Sequence, residues 1–248
     1  MIAHNKPTLG RQEQQAVFKV LDSGYITQGI EVERFENEFC DFLGLPQQHA
    51  VALSSGTSAL FMALWSLKAK KKSIAMPVYV CSSLRNAVAM VQAKEVLIDN
   101  ATDSPNINLN QLQKSNADIA IVPHMFGLPN EIQNIKDIDI IEDCAQSLGA
   151  SIDNKKTGLI GKAGIFSFYA TKLITSGGQG GMFVSEDKNL VDKVRDYREF
   201  DCRRDQKVRF NFQMTDIQAS IGRAQLRQLP SFLDRRQEIF SMYKDSGL

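Results

Sequence analysis

The stretch F-S-F-Y-A-T-K-L-I-T-S-G-G-Q-G-G, residues 166–181, decides how the rest of the chain is read. Phe166 and Phe168 alternate with Ser167, the period of a strand with one apolar face. The strand leads to one lysine, Lys172, and then to a loop holding Gly177, Gly178, Gly180 and Gly181. Glycines at this density permit positive φ and close backbone approach. A lysine amine in a partly desolvated pocket loses proton affinity and can attack a carbonyl carbon to form a Schiff base. Taken alone, the stretch fits a plain loop lysine beside a glycine-rich turn at least as well. Two further motifs shift the balance.

The first is S-S-G-T-S-A-L, residues 54–60, after the apolar run Ala50–Leu53. It reads as a strand, a tight glycine turn and a helix over 58–67, with Leu60, Leu64 and Leu67 on one face. The free N–H groups of such a helix start, with the hydroxyls of Ser55, Thr57 and Ser58, form a cradle for phosphate. Simple N-capping by Ser or Thr is the other reading. The Gly-Lys-Ser/Thr ending of a nucleotide-binding P-loop is absent.

The second is D-I-D-I-I-E-D-C-A-Q-S-L-G-A, residues 137–150. Ile138, Ile140 and Ile141 read as a short buried strand with Glu142 and Asp143 at its C-terminal end. That end of an open α/β sheet is where ligands bind, and a carboxylate there suits a cationic ring nitrogen. Gln146 faces the same ligand if the chain turns helical. Asp143 as the cap of a helix starting at Cys144 remains open.

A phosphate cradle, an acid for a pyridinium nitrogen and a Schiff-base lysine are what pyridoxal 5′-phosphate (PLP) demands of a protein. With these three motifs in this order, the chain resembles the DegT/DnrJ/StrS family of sugar aminotransferases, of the aspartate-aminotransferase-like PLP fold. The resemblance also rests on Gly24–Gly29 with the following E-V-E-R-F-E-N-E-F, on Pro77–Val88, and on N-F-Q-M-T-D-I-Q-A-S-I-G-R-A-Q-L from Asn211. It runs from near residue 7 to near residue 230.

The resemblance implies roles position by position. Lys172 matches the lysine that holds the cofactor aldehyde and later moves the proton. Asp143 matches the partner of the pyridine nitrogen, and Gln146 the residue against the ring or its 3-hydroxyl. Gly56 and Thr57 match the phosphate turn, and Ser167 a hydroxyl on the same phosphate. Asn211 matches an asparagine that reaches the phosphate of the neighbouring subunit, which implies a homodimer with shared active sites. At the position where the family usually stacks an aromatic on the ring stands Cys81, with Tyr79 two residues earlier. On a strand the two would share a face, so Tyr79 could take that part. Gln179 replaces the acid usual in the glycine loop, and Gln213 replaces an arginine.

The implied reaction moves an amino group from an amino acid, glutamate or glutamine, to a keto sugar, nucleotide-linked, in amino-sugar, cell-surface polysaccharide or antibiotic biosynthesis. The family's dehydratases replace the lysine by histidine, so Lys172 argues against another PLP-dependent sugar reaction. Family members continue well past the helix that begins near Thr215. The expected division is therefore a PLP-binding large domain over 1–230, including an N-terminal helical arm, and an incomplete start of a C-terminal small domain over 231–248. A truncated, PLP-binding or regulatory homologue is the alternative that this length raises.

Composition agrees with a soluble enzyme. The 248 residues suffice for a substantial core. Hydrophobic content of 43% and charged content of 23% exclude a disordered or membrane-embedded chain. With 29 basic against 28 acidic residues, nucleic acid is not an expected partner. Cys40, Cys81, Cys144 and Cys202 show no metal spacing and read as free thiols of a reducing, cytoplasmic compartment. No membrane span and no metal site are expected. His124, after a strand in P-H-M-F-G, reads as a structural loop histidine. Helical and strand patterns alternate along the chain. This predicts an α/β fold, a mostly parallel sheet sandwiched by helices, and the resemblance implies a sheet of the seven-stranded type.

Overall fold

The structure, a computed structural model, describes residues 5–247. Two helices open the chain, α1 (Arg11–Ser23) and α2 (Ile30–Leu43), and each stops at a glycine in the left-handed region, Gly24 and Gly44. An alternating series follows: β1 (Ala50–Leu53), α3 (Gly56–Ser66), β2 (Ser73–Pro77), α4 (Ser83–Met90), β3 (Lys94–Ile98), α5 (Leu109–Gln113), β4 (Ile119–Pro123) and β5 (Asp139–Asp143). A small hairpin, β6 (Ser151–Ile152) with β7 (Lys155–Lys156), precedes β8 (Ala163–Ser167), β9 (Gly181–Val184), α6 (Lys188–Arg198) and α7 (Asp216–Asp245).

The main sheet has seven strands in the order β1-β9-β8-β5-β4-β2-β3. Only β9 runs against its neighbours, and the other pairings are parallel. The expected mostly parallel sheet is therefore present. Strand alternation splits the core. Ile121, Ile141 and Ile165 pack with α3, α4 and α6 on one face. Phe166, Met182 and Val184 pack with Phe35 and Phe39 of α2 and Leu226 of α7 on the other. Burying both faces is what a parallel sheet requires.

The edge strand β1 is closed by charge. Glu36 on α2, almost fully buried, accepts the Ala52 N–H at 2.9 Å and pairs with Arg198 at 2.5 Å and Arg195 at 2.6 Å. Arg195 and Arg198 also donate to the Ala50 and Ala52 carbonyls, at 2.8 and 2.9 Å. The buried carboxylate thus has the donors its desolvation demands, and the strand edge has partners for its backbone groups.

The sequence pattern predicts one helix from Thr215 and another over 232–243. The structure instead holds one helix of 30 residues, α7, with Pro230 inside it. Thr215 and Gln218 start it with a reciprocal capping box. Helix-favouring residues on both sides of Pro230 outweigh the lost N–H. The expected boundary after residue 230 therefore falls within a continuous helix. Asp216, in the first turn of α7, caps a different helix. Its carboxylate accepts the N–H groups of Gly29, Val32 and Glu31 at 2.8, 3.1 and 3.2 Å. Gly29 has no side chain to cap α2 itself, so the cap comes from 187 residues away.

Replacing Asp216 with Ala should leave three N–H groups without an acceptor and cost about 2 kcal/mol of stability, the range of a lost helix cap. Urea unfolding of Asp216→Ala against the unmodified chain measures this, and Asp216→Asn should recover part of the loss.

Candidate active site

A cavity of about 240 Å³ opens where the C-terminal ends of β2, β4, β5 and β8 meet the N-terminus of α3. Seven of the residues expected at the site line it: Gly56, Thr57, Cys81, Asp143, Gln146, Ser167 and Lys172.

The start of α3 is built as the cradle requires. Ser55 caps the helix through a 3.0 Å bond from the Ser58 N–H to its Oγ, and the Ser58 hydroxyl donates back to the Ser55 carbonyl at 2.7 Å. The hydroxyl expected from Ser58 is therefore consumed in the cap and turned into the core. Gly56 and Thr57 supply the helix's leading N–H groups, which have no intrahelical acceptor. A Cβ at Gly56 would lie 2.8 Å from the Ser167 Cβ, so glycine is required for the turn to sit against the end of β8. Ser167 faces this turn because Phe166 and Phe168 point to the opposite core.

Asp143 ends β5 on the cavity side. Its Oδ1 accepts the Ala145 N–H at 3.0 Å. The backbone then runs through turns closed by Ser147 N–H to Cys144 O and Ala150 N–H to Ser147 O, so the helix considered at Cys144 does not form. Gln146 reaches the cavity by that turn, and its Oε1 accepts the Phe126 N–H at 3.0 Å. Burial pushes the Asp143 carboxyl above the usual carboxylate range, while the Ala145 N–H, Lys172 and His124 pull it down. A cation placed beside it would hold it ionised.

Glu142, one residue earlier, faces the other way and is fully buried. It accepts four N–H groups: His124 Nε2 at 2.9 Å, Gly158 at 2.9 Å, Ile160 at 2.6 Å and Gly161 at 2.7 Å. The Asn130 N–H donates to His124 Nδ1 at 2.9 Å, which leaves Nε2–H to donate to Glu142. His124, expected to be a structural histidine, is one, and it also forms part of the cavity wall. His124, Glu142 and Cys144 lie close enough to suggest a metal set. Both imidazole nitrogens and both carboxylate oxygens are already hydrogen-bonded, and burial pushes the Cys144 thiol well up, so the trio lacks free donors for a cation.

Lys172 sits half-buried in the wall, in a turn closed by its N–H to the Tyr169 carbonyl at 2.9 Å. Tyr169 also lines the cavity. It lies beyond the end of β8, where it bridges to Gly178 of the glycine loop. Gln179 of the glycine loop is a further wall residue. Tyr79 is not: β2 ends at Pro77, so Tyr79 and Cys81 do not share a strand face, and Tyr79 is 60% exposed with its N–H on Asn100. Asn211 is exposed and outside the cavity of its own chain. The donors, the glycine cradle and the buried acid fit a pyridine ring bearing a phosphate and an aldehyde.

Comparison with known proteins gives a concordant picture. The model of the DegT/DnrJ/EryC1/StrS aminotransferase family matches residues 7–246. An uncharacterized protein of Methanocaldococcus jannaschii is 33% identical over 97% of this chain and 68% of its own. GDP-perosamine synthase of Escherichia coli O157:H7 is 30% identical over 96% and 69%. The crystal structure of the aminotransferase TlmJ from Streptoalloteichus hindustanus superposes with a TM-score of 0.94 at 28% identity, covering all of this chain and 71% of that one.

Gly56→Ala should weaken PLP binding by about tenfold or more, roughly 1.4 kcal/mol, in a fluorescence titration. Asp143 yields a pH test. Its raised value means folding favours the protonated form, so its contribution to stability is fully present at low pH. That contribution fades as pH climbs from about 3.9, the ordinary aspartate value, through the raised one. Without cofactor, Asp143→Asn should melt above the unmodified chain at about pH 8, and the gap should close toward about pH 4.

Proposed function

The chain belongs to the DegT/DnrJ/EryC1/StrS aminotransferase family, and on that premise we propose that it is a PLP-dependent transaminase that aminates a nucleotide-linked keto sugar. The observation that supports this reading most is that Lys172, Asp143 and the α3 start line one cavity. Bound there, PLP supplies an aldehyde that condenses with amines and a ring that draws electrons from the adjoining carbon.

The chain's own groups do the rest. The Lys172 amine would hold the aldehyde until the donor's own amine displaces it, and the freed lysine amine would then take the α-proton of the amino donor, glutamate or glutamine, as general base. It returns that proton as general acid. Asp143 keeps the pyridine nitrogen protonated. The N–H groups of Gly56 and Thr57, with the Ser167 hydroxyl, bind the phosphate. Gln146 would lie against the ring or its 3-hydroxyl, and Cys81 would face the ring from the loop after β2. The E. coli relative's name places it in GDP-sugar chemistry, which supports a nucleotide sugar as acceptor.

Asn211 serves the phosphate site of a second copy in this reading, so the working unit is a homodimer. Exposed apolar residues near the N-terminus, Phe18, Leu21 and Tyr25, agree with a covered surface there. Residues 231–248 lead into the smaller domain. Four free cysteines among the described residues support a reducing cytoplasm. Among those residues no helix is long and apolar enough to cross a membrane. The meeting of Lys172, Asp143, Gly56, Thr57, Ser167, Gln146 and Cys81 at one cavity favours a working enzyme over a regulatory homologue, and Lys172 favours transamination over dehydration.

Saturating the chain with PLP, reducing with borohydride and mapping by mass spectrometry should place the added mass on Lys172. Lys172→Ala should lose both that adduct and the visible absorbance while staying folded. Glutamate or glutamine should bleach the band of the unmodified chain. A band unchanged by every amino acid tried would count against transamination.

A further inference from the structure

The start of α7, T-D-I-Q-A-S-I-G-R-A-Q-L, residues 215–226, carries two glutamines that no step of transamination uses. Gln218, Ile221 and Gln225 stand at i, i+3 and i+7, one stripe of the helix. All three meet the segment after Lys172, where residues 168–180 join β8 to β9 through turns. The Gln218 Nε2–H donates to the Gln179 carbonyl at 3.0 Å. A Cβ on Gly177, whose φ is 83°, would lie 2.6 Å from the Ile221 Cδ1. The Gln225 Oε1 accepts the Thr175 N–H at 3.4 Å. Along the helix from 218 to 225 the contacts therefore run back along the segment from 179 to 175, toward the lysine.

The Gln225 amide is held in one orientation. Its Nε2 donates to the Thr8 carbonyl and to Glu13 Oε1, both at 2.8 Å. A reversed amide would set its oxygen against these two acceptors. Glu13 on α1 and Gln225 are both buried. Burial works against the Glu13 charge, and bonds from Gln225, the Gly10 N–H and Gln228 hold its carboxyl below the usual range. With Nε2 committed, Oε1 is left facing Thr175. The bond to Thr175 is long, and what the carboxylate fixes is its direction.

We propose that Gln218, Ile221 and Gln225 are positioning residues for Lys172. They hold the segment that presents its amine to the cofactor aldehyde, and Glu13 fixes the Gln225 amide. This rests on the reading of Lys172 as the cofactor lysine, and it adds how α7 and α1, which do not line the cavity, act on that amine. Attack on an aldehyde needs the amine close and aligned, and small misplacements cost large factors in rate.

Gln228 gives a matched comparison. It donates to the same Glu13 oxygen at 2.6 Å, and its other bond, at 3.0 Å, goes to the Ala224 carbonyl of its own helix. Gln225→Met and Gln228→Met each roughly keep side-chain volume and remove one donor from Glu13. The growth of the visible band after adding PLP to each full chain measures adduct formation, with circular dichroism and urea unfolding as checks on folding. Gln225→Met should slow it about tenfold or more, and Gln228→Met should stay within about twofold of the unmodified chain. Gln218→Glu covers the case in which Gln225→Met does not fold. Glutamate at that position keeps the capping box and removes the donor to the Gln179 carbonyl. Compared with the unmodified chain in about 0.5 M salt, which screens the added charge, it should also slow the adduct. In the cofactor-free chain, hydrogen exchange over residues 171–179 should rise in Gln225→Met and Gln218→Glu and not in Gln228→Met. Equal slowing in the two methionine variants, or no slowing in Gln225→Met or Gln218→Glu, overturns the assignment. If the unmodified chain forms no adduct on Lys172, the cofactor-lysine reading falls, and the exchange pattern alone then decides whether α7 anchors the segment.

Discussion

The buried carboxylate of Glu142 is the constraint from which the site follows. A charge with no exposure is tolerated only when donors replace its water, and here four N–H groups do so. One comes from the end of β4 and three from the segment leading into β8. The strand β5 is thereby fixed between its two neighbours at the level where the sheet ends. Because side chains alternate along a strand, fixing Glu142 on one face fixes Asp143 on the other. Glu142 and Asp143 are adjacent acids with different tasks. One is saturated and structural, and the other has an oxygen left for a ligand.

The same division explains what the sequence disclosed. The parallel sheet was legible because apolar runs and helical periods alternate; Lys172 and Gly56 stood out by the glycine turns that follow strands, and Ser167 only through the family resemblance. Asp143 was legible by its position at a strand end. What was hidden depends on contacts between distant segments. Nothing local distinguishes Ser58 in the cap from Thr57 in the cradle. Nothing local shows that β2 ends early enough to turn Tyr79 to solvent. The cap of α2 by Asp216 bridges 187 positions, beyond any window that reads local pattern.

Helix α7 shows how one element can serve two ends of a molecule. Its first turn caps α2 and its middle packs on α1 and α2. Beyond Pro230 its side chains are mostly exposed, with Phe240, Met242 and Tyr243 each more than half accessible. Leu233 and Arg236 turn toward the cavity side. A rigid rod of this kind transmits the position of the core to whatever contacts its far half, so the placement of Leu233 and Arg236 is referenced to the same α2 that packs behind Phe166 and Phe168.

The ionic seal along β1 has a consequence for how copies of the chain meet. An uncovered strand edge offers a template on which another molecule can stack by backbone pairing, the first step toward disordered aggregates. With Arg195, Arg198 and Glu36 occupying the backbone groups of Ala50 and Ala52, that border gives a foreign strand few free partners to zip onto. At the opposite border, β3 shows Lys94 and Glu95 to solvent, and charged borders resist such zipping. Association between copies is thus steered away from sheet extension and toward side-chain surfaces, where specificity can be encoded.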